Sequence, residues 1–267
     1  PYPGFEGQYF SMPCRNVLPK PLQKPHPPMW IACTNRDTIR VAARNGLGAL
    51  AFSFVDPEEA KSWSDIYYDI IRSDECVPIG HSVNANIAMV SNFSLHHDRA
   101  EAIRRGHEGF EFFNYALRAL VTHDTVPGRT QLWKEFQELR GNRTEEVIEE
   151  SRGVGYNAAG IGTPDDMCAH LTGFRDAGVD QIIFMQQSGR NRHEHICESL
   201  QLFADEVREP FAAECESRER AKAEELAPYI EAALARKQVM QPIADRDIPV
   251  VRASAKRVEV NRETARS

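Results

Sequence analysis

Several absences narrow this sequence before any motif is read. No stretch of its 267 residues approaches the ~20 consecutive apolar residues that a bilayer-crossing helix needs, so a membrane is not an expected partner. Positive charge is not in excess: the formal net charge is −7, which excludes a general nucleic-acid binder, because phosphate backbones require a basic face. The six cysteines (Cys14, Cys33, Cys76, Cys168, Cys197 and Cys215) contain no C-x-x-C pair. They read as free thiols of a reducing cytoplasm, not as a disulfide frame or a zinc site. The sequence also has no G-x-S-x-G elbow, no P-loop and no pair of carboxylates that stands out as acid and base. It opens Pro1-Tyr2-Pro3-Gly4, without an initiator Met and already inside a patterned segment, so the expectation is that an amino-terminal part of the protein precedes it.

What is present is organised around Pro28–Phe52, PMWIACTNRDTIRVAARNGLGALAF. A short apolar run, Met29–Cys33, gives way to Thr34-Asn35-Arg36-Asp37-Thr38, then to a helical pattern with Ile39, Ala42 and Ala43 on one side. Gly46 stops that pattern and Leu47–Phe52 is apolar again. Strand, turn, helix, Gly, strand is one βαβ unit of a parallel sheet. Thr34 or Asn35 can cap the helix, because a short side-chain oxygen accepts from the first free backbone N–H groups. Those N–H groups and the positive helix end also form an anion site, to which the Thr34 and Thr38 hydroxyls and the Asn35 amide would add donors. Capping without a ligand explains the same residues.

Residues 1–27 contain many prolines and read as an extended arm, with a hairpin over Phe5–Phe10. A helix begins at Asp56-Pro57 and runs to about Arg72. Pro78–Val90 is the next expected strand, with Ser82, Asn84 and Asn86 on one face by period two; in a barrel such residues are site candidates or mark a wet edge. A strongly aromatic helix covers roughly Asp98–Leu120. Residues 121–160 read as an insertion or lid ending in a Gly-rich turn over Gly153–Gly162. Thr163–Asp180 is a well-marked helix with Thr163 as cap, Pro164 in the first turn and Asp166 at the capping-box position. A strand, Gln181–Gln187, a polar turn through Arg190 and Arg192, and a helix from His193 to about Phe211 follow. Residues 212–239 read as a charged, solvated helical extension and 240–267 as a disordered tail. Two helix–Gly–strand units of matching form point to an α/β barrel or an open doubly wound sheet.

His96-His97 and His193-Glu194-His195 suggest a metal and leave a metal-dependent barrel hydrolase open. Side chains at i,i+1 and i,i+2 diverge on a helix, however, which favours polar helix starts. Phosphate-friendly turns and polar strand ends suit a cofactor that carries its own chemistry.

The chain resembles the carboxy-terminal part of bacterial-luciferase-like, flavin-dependent monooxygenases. The resemblance lies in FEGQYFSMPCRNVLPKPLQKPHPPMWIACTNRDTIRVAARNGLGALAF and GIGTPDDMCAHLTGFRDAGVDQIIFMQQSGRNRHEHICESLQLFADEV, and less sharply in VPIGHSVNANIAMVSNF. It implies a (β/α)8 TIM barrel, of which residues 1–211 would supply about the fifth to eighth strands as a partial barrel. It implies a flavin phosphate at Cys33, Thr34, Asn35, Arg36 and Thr38. Asn84, Asn86, Gln186, Gln187, Arg190 and Arg192 would face the ring and substrate. The activity implied is oxidation of a small organic substrate by reduced FMN and O2, with the reduced flavin supplied by a separate reductase, in a homo-oligomer. A deazaflavin-dependent hydride-transfer enzyme of the same superfamily would share these features. If the chain stands alone as half a barrel, the expectation is an inactive fragment that self-associates through unpaired sheet edges.

Overall fold

The computed structural model describes residues 2–52, 54–122, 126, 128–141, 160–238 and 243–248. The Gly-rich turn over 153–159 and the tail from 249 onward lie outside the described residues. The chain divides into two compact units, residues 1–27 with 238–267 and residues 28–237. Within the first, β1 (Phe5–Glu6) pairs antiparallel with β2 (Ser11–Met12). The expected hairpin is therefore present, and the Phe5 and Phe10 rings close it at 5.2 Å.

The second unit is built on a four-stranded sheet in which every pairing is parallel, with strands β3 (Trp30–Cys33), β4 (Gly48–Ala51), β5 (Ile87–Asn92) and β8 (Gln181–Met185) in that spatial order. The register sets Cys33 opposite Ala51, Ala51 opposite Met89 and Asn92 opposite Met185. All four strands therefore end on one rim. Among the described residues β3 and β8 each have a neighbour on one side only, so the sheet is an arc of a barrel and not a closed one. A second parallel pair, β6 (Ser94–Leu95) with β7 (Ile161–Gly162), extends from the tip of β5.

Helices cover one face of the arc. α1 (Arg36–Arg44) and α2 (Pro57–Ile71) bury Ile39, Ala42, Trp63, Tyr67 and Ile71 against Cys33, Ala49, Ala51, Ile87 and Met89. Period two then turns Ala32, Leu50, Val90 and Ile183 to the other face, where Ile183 remains 40% exposed. α1 stops at Gly46, whose φ of 64° is the left-handed conformation that ends a helix at low cost without a Cβ. α3 (Arg99–Thr122) and α4 (Leu132–Gly141) follow. α5 (Pro164–Asp176) starts with the expected capping box between Thr163 and Asp166. α6 (His193–Leu202) passes through one π-helical turn (203–207) into α7 (Arg208–Arg236) without a break at residue 212.

α7 is more than a solvated extension. Leu226 and Ala233 are buried in the core, Arg72 and Glu225 pair at 2.7 Å, and Arg236 donates to the carbonyls of Ser73 and Cys76 at 3.0 Å. At the base of the sheet Lys222 Nζ donates to Asp180 (2.8 Å) and to Asn86 Oδ1 (2.7 Å). Asp180 also accepts from the Tyr68 hydroxyl (2.5 Å) and the Ile87 backbone N–H (2.7 Å). Burial, with the Asp180 carboxylate beside it, raises the Tyr68 phenol well above its ordinary pKa, so it stays a neutral donor.

Candidate functional site

The turn between β3 and α1 lies on the rim where the four strands end. Asn35, not Thr34, caps α1: its Oδ1 accepts from the Thr38 N–H at 3.0 Å, and the Thr38 hydroxyl donates to the Asn35 carbonyl at 2.8 Å. The Thr38 hydroxyl is thus committed to the cap. The first four N–H groups of a helix have no intrahelical acceptor. Here the cap and Thr38 satisfy those of Asn35 and Thr38, leaving the N–H groups of Arg36 and Asp37 open. Thr34, Asn35, Arg36 and Asp37 are exposed, so no side chain walls off the turn.

Two residues assigned to this site are otherwise engaged. The Cys33 thiol is buried on the helix side, donates to the Ile31 carbonyl at 3.4 Å, and has its pKa pushed up by burial; only its backbone faces the turn. Arg36 forms a forked pair with Glu59, Nη2 lying 2.8 and 2.9 Å from the two carboxylate oxygens. Glu59 accepts in addition from the Trp63 indole, and that bond, then Arg36, holds its carboxyl below the usual carboxylate range. Asp37 adds a negative charge to the same turn, 93% exposed and 3.2 Å from Arg40.

Asn84 and Asn86 are not on this rim, which corrects the strand expected over 78–90. β5 begins only at Ile87, so both asparagines precede it at the base of the sheet. There Asn84 Nδ2 donates to the Met29 carbonyl (3.1 Å) and Asn86 Nδ2 to Asn84 Oδ1 (2.7 Å). The side-chain amides hold the backbone in a local turn, with the Asn86 N–H on the Asn84 carbonyl at 2.9 Å, and such bonds compete with the strand ladder. The residue at the tip of β5 is Asn92, 3% exposed. The sequence signal for it was the unbroken apolar run from Ile87 to Val90, which ends four residues after the last asparagine of the alternating stretch.

The β8 end brings the remaining candidates to the rim. Gln186 Oε1 is buried without a hydrogen-bond partner, and Gln187 beside it is exposed. The Arg190 guanidinium stacks on Trp133 at 4.7 Å, while Arg192 precedes α6 and lies 3.5 Å from Glu194. This loop is seated on α3 at Gly109, where an added Cβ would fall 2.4 Å from Asn191 Oδ1 and 2.5 Å from the Ser188 carbonyl. Beyond β4, Phe52 and Phe54 meet Phe113 and Phe110 of α3 edge-on at 6.1 and 5.2 Å. The strongly aromatic helix expected from the sequence thus supplies an aromatic wall to the rim.

The histidines do not converge. His96 Nδ1 accepts from the Asp98 N–H at 3.0 Å, His97 lies 3.4 Å from Glu206, and His193 lies 3.5 Å from the Cys197 sulfur. Among the described residues no three His, Cys, Asp or Glu side chains are grouped to hold a metal ion, and no helix is long and apolar enough to cross a membrane.

An arc of parallel strands with helices on one face and an open βα turn at its carboxyl rim is a segment of an α/β barrel. The chain belongs to the luciferase-like monooxygenase family, whose profile matches residues 2–181. No curated protein sequence matches the chain. Among solved structures it is similar to the monooxygenase RslO1 from Streptomyces bottropensis, at 23% identity and a TM-score of 0.52, with 78% of this chain covering 55% of that one. It is also similar to an F420-dependent secondary alcohol dehydrogenase in complex with an F420-acetone adduct, at 16% identity and a TM-score of 0.50, with 76% of this chain covering 54% of that one. The chain thus spans little more than half the length of either, and these likenesses establish its fold as that of a luciferase-like barrel.

Proposed function

We propose that the chain carries the phosphate-holding side of a flavin-dependent monooxygenase that takes reduced FMN and O2 to a small organic substrate. The observation that carries this reading is the open β3–α1 turn. It offers two unengaged backbone N–H groups at the positive end of α1 and an exposed Thr34 hydroxyl, on the rim where ligands of parallel α/β folds bind. The fit has one cost, the Asp37 carboxylate. Arg36 can offset it, because an exposed ion pair such as Arg36–Glu59, with side chains 49% and 38% exposed, is held by only about 1 kcal/mol and can be exchanged for phosphate.

In this reading Thr34, Asn35, Arg36 and Thr38 bind or shape the phosphate site. Gln186 and Gln187 hydrogen-bond the ring or substrate, Phe52 and Phe113 exclude water, and Arg190 and Arg192 border the entrance. When bound, reduced FMN would supply the electrons that activate O2, and a reductase would deliver it. A deazaflavin is the second reading, favoured by the likeness to the F420-dependent dehydrogenase fold. Its phosphate would use the same turn.

The test is fluorescence titration of the chain with FMN and with riboflavin, which lacks the phosphate. FMN should bind about tenfold tighter, the worth of one or two charge-assisted hydrogen bonds. Thr34→Asp, which adds a negative charge without touching the cap, should erase the difference. Equal affinities of the unaltered chain for both would remove the basis of the assignment. Oxygen consumption with reduced FMN, against substrate reduction with a reduced deazaflavin, separates the two cofactors.

A further inference from the structure

A cavity of about 310 Å³ opens on the helix side of β8, between α5 and α7. It shares no lining residue with the 34–38 turn, and it goes beyond the flavin reading. Its floor is apolar, formed by Phe174, Ile182, Phe184, Phe203 and Phe211. Phe184 and Phe203 meet edge-on at 5.3 Å, so the floor is held in place by ring packing. Its mouth is charged, and nearly every charge there is matched. Arg175 pairs with Glu214 at 3.3 Å, and Lys222 pairs with Asp180 at 2.8 Å and Glu219 at 3.0 Å. The exception is Arg218. Its guanidinium makes one hydrogen bond, to the Arg175 carbonyl at 3.4 Å, and has no carboxylate partner among the described residues.

We propose that this cavity binds a small amphipathic carboxylate, with its hydrocarbon chain against the aromatic floor and its carboxylate on Arg218. Ligand sites are concave and mostly apolar, with a few polar groups that fix orientation, and this lining has that composition. A guanidinium can meet a carboxylate with two parallel N–H donors. Lys222 is shared between Asp180 and Glu219, so the charges of the lining balance at three of each sign; Arg218 is the cation among them whose N–H donors are left for an anionic head.

The probes are decanoate and decanol, which differ in charge but little in apolar length, titrated calorimetrically into the chain. Decanoate should bind at one site per chain, and more tightly than decanol. Arg218→Gln, at an exposed position, should weaken decanoate about tenfold and leave decanol unchanged, because a hydrogen bond to a charged group is lost while the floor is kept. Cys215→Trp, which fills the mouth, should abolish both. Absence of saturable decanoate binding overturns the proposal, as does decanoate affinity indifferent to Arg218→Gln. Since Arg218→Gln leaves the core untouched, the comparison stands even if the tryptophan variant does not fold. Loss of FMN binding has no bearing on these readings.

Discussion

Replacing Asp180 by alanine should cost more stability than any surface charge on the molecule. The side chain is 9% exposed and accepts three hydrogen bonds, from Ile87 N–H at 2.7 Å, the Tyr68 hydroxyl at 2.5 Å and Lys222 at 2.8 Å. Removal leaves them unequally placed. Lys222 keeps Asn86 and Glu219 at 2.7 and 3.0 Å, and Tyr68 keeps the Ala85 carbonyl at 3.3 Å. The Ile87 N–H, at the first residue of β5, keeps nothing. A buried donor left unpaired costs about 1–3 kcal/mol, and the two weakened bonds add about 1 kcal/mol each, so the loss should be about 3–5 kcal/mol. Urea unfolding followed by circular dichroism measures it. Asp176→Ala, at a side chain 64% exposed, serves as the control and should move stability by less than about 0.5 kcal/mol. Asp180→Asn, which retains an acceptor for Ile87, should fall between the two. A loss below about 1 kcal/mol in Asp180→Ala would show that the base of the sheet does not depend on this carboxylate.

Other outcomes follow from single residues. Burial lowers the pKa of His170, whose Nε2 lies 2.8 Å from Ser91 Oγ, from 6.5 to about 4. Between those values the unfolded chain binds the proton and the folded chain does not, so stability is full above pH 6.5 and falls as pH drops toward 4. His170→Gln should remove about 2 kcal/mol of the loss between pH 7 and pH 5, read as the difference in urea midpoints between variant and parent. Gly109→Ala drives a Cβ into the Ser188 carbonyl at 2.5 Å; it should cost about 1–3 kcal/mol and alter Trp133 fluorescence as Arg190 leaves its ring, and an unchanged spectrum would contradict the seating of that loop. Asn35→Ala should lower stability by about 1 kcal/mol through loss of the α1 cap, measured by thermal unfolding.

Local chemistry made part of this molecule legible in its sequence. The βαβ unit at Met29–Phe52, the Thr163–Asp166 capping box and the Gly46 stop depend on neighbours a few residues away, and they stand where spacing placed them. The start of β5 was misjudged because period-two alternation over Val83–Ile87 imitates a strand, whereas Asn84 and Asn86 are spent on hydrogen bonds to Met29 and to each other. Nothing near Lys222 in the chain announces Asp180 or Asn86, which lie 42 and 136 residues away, so α7 looked like a solvated rod. The same distance hid Glu59 as the partner of Arg36, 23 residues on.

The Lys222–Asp180 latch has an evolutionary consequence. It fastens the longest helix at the foot of the sheet, while every residue proposed to meet cofactor or substrate stands at the opposite tips. Substitutions that retune chemistry at the tips can therefore accumulate without loosening what keeps the strands together, and a lineage can try new substrates before it must repair its scaffold.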